Sequence, residues 1–248
     1  MDNSIYVALS QLTALERQLD VTSNNIANAN SSGYKAERVL FETYLQTDDA
    51  ALSGDGTNYV LDRGSYVDNS SGAIMPTGNA LDLALSGDGW FAYQTAGGQT
   101  AFGRDGGFIL DTEGRVITAT GAQLLDAGGA PLVLPPAQAA TVSISNDGVI
   151  SDAEGAVLGQ VGIFTLPDRQ SLGRSGGGMF VPQEGNARLI PDETGSQIIQ
   201  GAVEMSNVQA VTEVTRLISI QQAYQQSLNL VQSDDDLKKE MLSRIRNS

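Results

Sequence analysis

Ile5-Tyr6-Val7-Ala8-Leu9-Ser10-Gln11-Leu12-Thr13-Ala14-Leu15-Glu16-Arg17-Gln18-Leu19-Asp20-Val21-Thr22-Ser23-Asn24-Asn25-Ile26 has an apolar residue at every seventh position: Ile5, Leu12, Leu19 and Ile26. Leu9 and Leu15 fill the intervening turns. A seven-residue apolar repeat turns one side of a helix into a seam that needs another helix to cover it. Working outward, Asp2, Asn3 or Ser4 serves as N-cap, and the helix is expected to run from residue 4 to about 30 and end near Gly33.

A second seam lies at the far end, where Val214, Leu217, Ile220, Tyr224, Leu228 and Val231 step by three and four. Neither seam buries itself alone, so the two ends must meet each other, other chains, or both. The expected class is therefore α+β: N- and C-terminal helices pair as a coiled-coil-like core, with an all-β domain inserted between them. The expected divisions are an N-terminal helical segment over 1–45, an extended linker over 46–74, a central β-domain over 75–182, a return linker over 183–197, and a C-terminal helical segment over 198–248.

Composition removes whole classes of chemistry. The chain has neither Cys nor His, which excludes thiol nucleophiles, His general bases, Ser-His-Asp triads and imidazole or thiolate zinc sites. The net charge is −15, with five acids and three bases over 1–45, eighteen and six over 46–197, and six and five over 198–248. Near-neutral ends can pack against copies of themselves, while an acidic centre resists nonspecific association. Nucleic acid is not an expected partner, since binding it takes clustered Lys and Arg. No apolar run approaches the roughly 20 residues of a membrane span, so no membrane insertion is expected. Met1-Asp2-Asn3-Ser4 lacks the basic start of a cleaved secretory signal.

The middle reads as strands. Leu81-Asp82-Leu83-Ala84-Leu85, Gly106-Gly107-Phe108-Ile109-Leu110, Arg115-Val116-Ile117-Thr118 and Val142-Ser143-Ile144 are short strand-like runs. They are bounded by acid-Gly turns such as Asp88-Gly89, Glu113-Gly114, Asp147-Gly148 and Glu154-Gly155. Trp90, Phe91, Tyr93, Phe102 and Phe108 are expected to form the core of this module, with a carbohydrate platform as the rival reading. A glycosidase needs two carboxylates flanking one bond, and no spacing nominates a pair. The repeated Ala51-Leu52-Ser53-Gly54-Asp55-Gly56 and Ala84-Leu85-Ser86-Gly87-Asp88-Gly89 read as turns rather than cation loops. No catalytic, cofactor or metal residue is expected.

Two terminal blocks stand out. Asn24, Asn25 and Asn28 share one helix face. They are either a fraying end closed by a left-handed Gly33 or a polar stripe bonded to a neighbouring helix. At the other end the chain is expected to turn helical after Pro191, with Ser206-Asn207-Val208-Gln209 as a capping box. Asp234, Asp235 and Asp236 with Lys238 and Lys239 read as a solvated helical face.

Three stretches together resemble the axial proteins of the bacterial flagellum, the rod and hook family. Val21-Thr22-Ser23-Asn24-Asn25-Ile26-Ala27-Asn28-Ala29-Asn30-Ser31-Ser32-Gly33-Tyr34-Lys35 is similar to the family's N-terminal signature. Gly201-Ala202-Val203-Glu204-Met205-Ser206-Asn207-Val208, followed by Gln221-Gln222-Ala223-Tyr224 and Asn229, resembles its C-terminal one. Thr77-Gly78-Asn79-Ala80-Leu81-Asp82-Leu83-Ala84-Leu85-Ser86-Gly87-Asp88-Gly89-Trp90-Phe91-Ala92 resembles its β-domain. The opening Met1-Asp2-Asn3-Ser4-Ile5-Tyr6-Val7 and the length resemble the proximal rod branch more than the distal rod or the hook. Gln222 departs from the pattern, standing where the family commonly has Arg.

The resemblance implies a non-enzymatic subunit of the periplasmic rod that needs no cofactor. Its implied partners are proximal and distal rod subunits, copies of itself, and the type III export apparatus, with export leaving the N-terminus uncut. The implied assembly interface comprises Ile5, Leu9, Leu12, Leu19, Asn24, Asn25, Ile26, Asn28, Gly33, Tyr34 and Lys35 at one end. At the other it comprises Ser206, Asn207, Val208, Leu217, Ile220, Tyr224, Leu228, Asn229 and Val231. Gly33 is expected to aim Tyr34 and Lys35 towards a neighbour. The terminal helices are expected to order only on joining the rod, since one exposed seam does not offset backbone entropy of about 1–2 kcal/mol per residue.

Overall fold

A computed structural model describes residues 2–46, 57–138, 141–166, 172–182 and 188–246. It places helix α1 at Asp2–Ala27, strand β1 at Glu37–Gln46 and strand β2 at Thr57–Val67. Short strands follow: β3 Ile74–Pro76, β4 Leu83–Ser86, β5 Phe91–Gln94, β6 Thr100–Gly103, β7 Phe108–Leu110, β8 Val116–Thr118 and β9 Gln123–Leu124. Next come β10 Ser143–Ile144, β11 Val149–Ser151, β12 Val157–Gln160, β13 Leu172–Arg174, β14 Phe180–Pro182, β15 Gln197–Gln200 and β16 Ala202–Glu204. Helix α2 closes the chain at Ala210–Arg246. The fold is α+β.

The chain divides into two units. The first joins residues 1–27, 37–68 and 209–248; the second joins 28–36 and 69–208.

In the first unit α1 packs on α2 and on the β1–β2 ribbon. At about 1.5 Å per residue, 26 residues span about 39 Å and 37 span about 56 Å, so one α2 end outruns its partner. The ribbon is antiparallel, pairing Glu37 with Val67 through Gln46 with Thr57, and slips register between Val39 and Phe41. Much of 46–74 is therefore strand rather than loop: its polar, Gly-rich composition hid an eleven-residue β2 that pairs along its length. The first copy of the short repeat, residues 51–56, lies outside the described residues.

The second unit is built from antiparallel sheets. Seven strands run in the order β13-β14-β6-β5-β9-β8-β7, beside the three-stranded β10-β11-β12 and the pairs β15–β4 and β16–β3. Trp90, Phe91, Tyr93, Phe102 and Phe108 are all buried. Phe91 packs edge-on against Phe108 with ring centroids 5.6 Å apart, and Leu83, Leu124, Leu134, Ile150 and Ile198 fill the space around them. These five rings form core, so they offer no platform for a sugar. The expected strands near residues 83, 108, 116 and 143 are present.

One turn plan recurs through this unit. At Thr95, Asp111, Thr118, Asp126, Ser145 and Asp152 a side-chain oxygen accepts the N–H four residues on, while the same residue's carbonyl accepts the N–H of a Gly three residues on. Each of those glycines sits at φ between 77° and 86°, a region L-residues avoid. The sequence shows acid-Gly pairs, but the residue that organises each turn stands three before the Gly, and it is Thr or Ser as readily as Asp.

The C-terminal end departs from expectation. Residues 197–204 are strands, not helix: β15 pairs Ile198 with Leu85, and β16 pairs Val203 with Met75. Because α2 begins at Ala210, Ser206 is not its cap. The Ser206 hydroxyl accepts the Val208 N–H instead, a local turn that outcompetes the capping box.

Candidate functional site

Each helix buries part of its surface within the first unit. Ala8, Ala14, Val21 and Thr22 on α1 are buried, as are Glu213, Ile220 and Ser227 on α2. Leu12, Leu19, Ile26, Leu217, Tyr224, Leu228 and Val231 are half-buried. The Tyr224 hydroxyl donates to Glu16 Oε1 at 3.0 Å, and that bond raises the phenol pKa. Arg38 Nη1 meets the buried Glu213 at 2.5 Å. Leu9 and Val214 are exposed and so lie off the seam; the Ile5 side chain lies outside the described residues.

A second apolar set on α2 faces water: Val211 is 82% exposed, and Val214, Ile218, Leu230, Leu237 and Met241 are also open. Val211, Val214 and Ile218 recur at helical spacing on the face opposite Glu213, Ile220 and Ser227. Leu230, Leu237 and Met241 are exposed too, on a different side of the helix nearer the C-terminus. The acids and lysines at 234–239 form exposed or half-exposed pairs, Asp234 with Lys238 at 3.0 Å and Asp235 with Lys239 at 3.4 Å.

Asn25 differs from Asn24 and Asn28 in its surroundings. It is buried, and its amide clasps the backbone of Glu37: Oδ1 accepts the Glu37 N–H at 3.0 Å, and Nδ2 donates to the Glu37 carbonyl at 2.9 Å. This pairing mimics a strand and fixes where β1 begins. Asn24 is exposed, and Asn28 lies beyond the end of α1, where its carbonyl accepts the Ser31 N–H. The three Asn thus occupy different places within this chain.

Residues 28–36 form a strap inside the second unit. Gly33 has φ +64, left-handed as expected, but α1 already ends at Ala27, so Gly33 does not close the helix; its N–H donates to the Glu204 carbonyl at 2.7 Å instead. A Cβ there would lie 2.1 Å from the Asp105 nitrogen, so only Gly fits. Tyr34 and Lys35, expected to face a neighbour, are buried within this chain. The Arg174 guanidinium stacks 4.5 Å from the Tyr34 ring centre and donates to the Lys35 carbonyl. Asn207 Oδ1 accepts the Ala36 N–H at 2.7 Å, and Nδ2 donates to the Ser70 carbonyl. Val208 packs with Tyr34 and Ala36. Asn229 is exposed and accepts a bond from Gln225 along α2.

At the centre lies a buried ionic cluster. Lys35 Nζ is 2.6 Å from Glu204 Oε1, and Arg104 Nη1 is 3.1 Å from Glu204 Oε2. Gly72 donates its N–H to Glu204 Oε1, Lys35 donates to the Ser70 carbonyl, and Arg104 stacks over Trp90. Beside it Ser32 donates to Asp105 Oδ1. Burial raises the Asp105 pKa, opposed by the Ser32 and Gly107 hydrogen bonds. Burial also pushes the Tyr93 phenol up; its hydroxyl donates to the Asp105 carbonyl. Glu204 and Arg104 were not singled out from sequence. Their signal was a charge set within apolar strand sequence, Ala202-Val203-Glu204 and Ala101-Phe102-Gly103-Arg104, where a charge must be paired.

Comparison with known proteins decides the family. Residues 5–35 match the model described as flagella basal body rod protein, 84–152 the flagellar hook protein FlgE/F/G D1 domain, and 199–244 the flagellar basal body rod FlgEFG protein C-terminal. The chain is 34% identical to the flagellar basal-body rod protein FlgF of Caulobacter vibrioides, covering 99% of this chain and 98% of that one. The chain belongs to the flagellar basal-body rod protein family. It is also 36% identical to FlgF of Mesorhizobium japonicum, over 96% of this chain and 98% of the relative, and 31% identical to the rod protein FlgG of Bacillus subtilis, over 99% and 100%. The rod family is structural and non-enzymatic. Among the described residues no helix is long and apolar enough to cross a membrane.

Proposed function

We propose that this rod subunit occupies the proximal rod and that α1 and α2 build the torque-transmitting shaft by packing against the same helices of neighbouring subunits. Rod-family membership carries assembly with other rod subunits. The proximal reading goes further, and the higher identity to the FlgF relatives than to the FlgG ones supports it. The observation that carries the packing reading is the open apolar set on α2: Val211, Val214, Ile218, Leu230, Leu237 and Met241. A set this exposed contributes little to the isolated chain, whereas burying each large side chain contributes about 1.5–3 kcal/mol.

Export through the flagellar type III apparatus with an uncut N-terminus, and further stabilisation of the paired α1 and α2 on joining the shaft, complete the proposal. Replacing Ile218 with Asp in a strain lacking the native gene should abolish motility while the subunit still folds and is exported. Full motility would remove the packing role. Labelled subunit in isolated basal bodies should lie at the membrane-proximal end, and its mass should retain residue 1. Label at the hook-proximal end would assign it to the distal rod instead.

A further inference from the structure

We infer that residues 28–36 are a latch that opens as one piece while the β-core of the second unit stays folded. The first observation is where the strap finds its apolar contacts. Tyr34 and Ala36 cluster with Val208 and Ala29, whereas the large core around Phe91, Leu124 and Ile198 takes no residue from the strap. Lifting the strap therefore leaves that core covered by its own strands.

The second observation is the charge count at the ionic cluster. Glu204 faces two cations, Lys35 on the strap and Arg104 at the end of β6. Removing one partner from a buried pair is severe because it strands the other charge. Here Lys35 leaves for water, while Glu204 keeps Arg104 and the Gly72 N–H. The pair left behind is neutral. Arg104 is itself held independently of the strap, by the carbonyls of Leu85 and Gly87 and by the Trp90 ring. A cluster of one acid and two bases, with one base on a detachable segment, makes opening of that segment far easier than a simple buried pair would.

Native-state hydrogen exchange on the full chain tests this. The Gly33 and Ala36 amides, bonded to Glu204 and Asn207, should exchange at least about tenfold faster than those of Leu125 and Leu132. Those two are bonded to Ala92 and Leu124 within the β-core. The strap amides should also respond less steeply to denaturant. Equal rates and slopes for all four would show that the strap opens only with the core and would overturn the inference. Lys35→Met should widen the gap by speeding strap exchange alone. Arg104→Met should narrow it, since Lys35 is then the one cation left paired with Glu204 in the cluster. If Arg104→Met does not fold, the Lys35→Met ratio decides: strap and core amides accelerating together overturns the proposal.

Discussion

Phe91 and Leu217 are both large apolar side chains on regular secondary structure, yet Phe91 is fully enclosed and Leu217 is half open. The second unit closes its core from its own strands; the first leaves apolar surface on α2 uncovered. Self-sufficiency in one region and incompleteness in the other is what a subunit needs when one part must keep its shape and the other must acquire neighbours.

The largest test of that contrast is deletion of core volume. Phe91→Ala should destabilise the second unit by about 3–5 kcal/mol, because transfer and cavity terms add at an enclosed site. Leu217→Ala in the free chain should cost less than about 2 kcal/mol, since half its surface is already wet. Denaturant melts separate the two: Trp90 is the only Trp in the chain and reports the second unit, while far-ultraviolet helical signal reports the first. Equal costs would break the comparison.

Next in size is Gly33→Val. A β-branched residue at φ +64 is strained by about 1–3 kcal/mol, and its side chain would also overlap the backbone of Arg104 and Asp105. The strap should fail to seat and motility should be lost, while the Trp90 melt keeps a cooperative transition. Normal motility would show that the seated strap is not needed for assembly.

How far sequence reached follows the same division. Heptad spacing gave both helices, and short apolar runs between Gly turns gave most of the β-core, because period and turn chemistry are local. What escaped depended on distant partners. Nothing local marks Thr57–Val67 as the partner of Glu37–Gln46. Residues 197–204 became strands because β4 and β3 were there to pair with them. At the candidate site, Gly33 was legible from its conformation. The burial of Tyr34 and Lys35 was not, since it depends on Arg174, Glu204 and Asn207, up to 173 residues away in the chain from Tyr34.

Asn25→Ala sharpens the contrast inside the first unit. Losing its amide removes two hydrogen bonds to the half-buried Glu37 backbone, at a cost of about 0.5–1.5 kcal/mol each. The helical melt should shift down by that amount and the Trp90 melt should not move. Asn25→Asp should rescue only part of it, since a carboxylate accepts from the Glu37 N–H but cannot donate to its carbonyl.

The smallest effect expected is one of opposite sign, at Asp105. Burial raises this carboxyl's pKa in the folded chain, against the pull of the Ser32 and Gly107 hydrogen bonds. A folded pKa above the unfolded one means that the native state holds the proton more tightly. Its contribution is therefore most favourable at acid pH and declines as pH rises from the unfolded value through the folded one. Asp105→Asn keeps an oxygen to accept the Ser32 hydroxyl and the Gly107 N–H but carries no charge at any pH. The variant should melt above the parent at pH 7, and the two curves should converge as pH falls below the usual carboxylate range. Trp90 melts across that range measure the difference directly. A variant less stable than the parent at pH 7, with the gap closing in acid, would mean that the ionised carboxylate strengthens the strap's hold on the second unit. Asp105 would then join Glu204 among the groups that keep the strap seated.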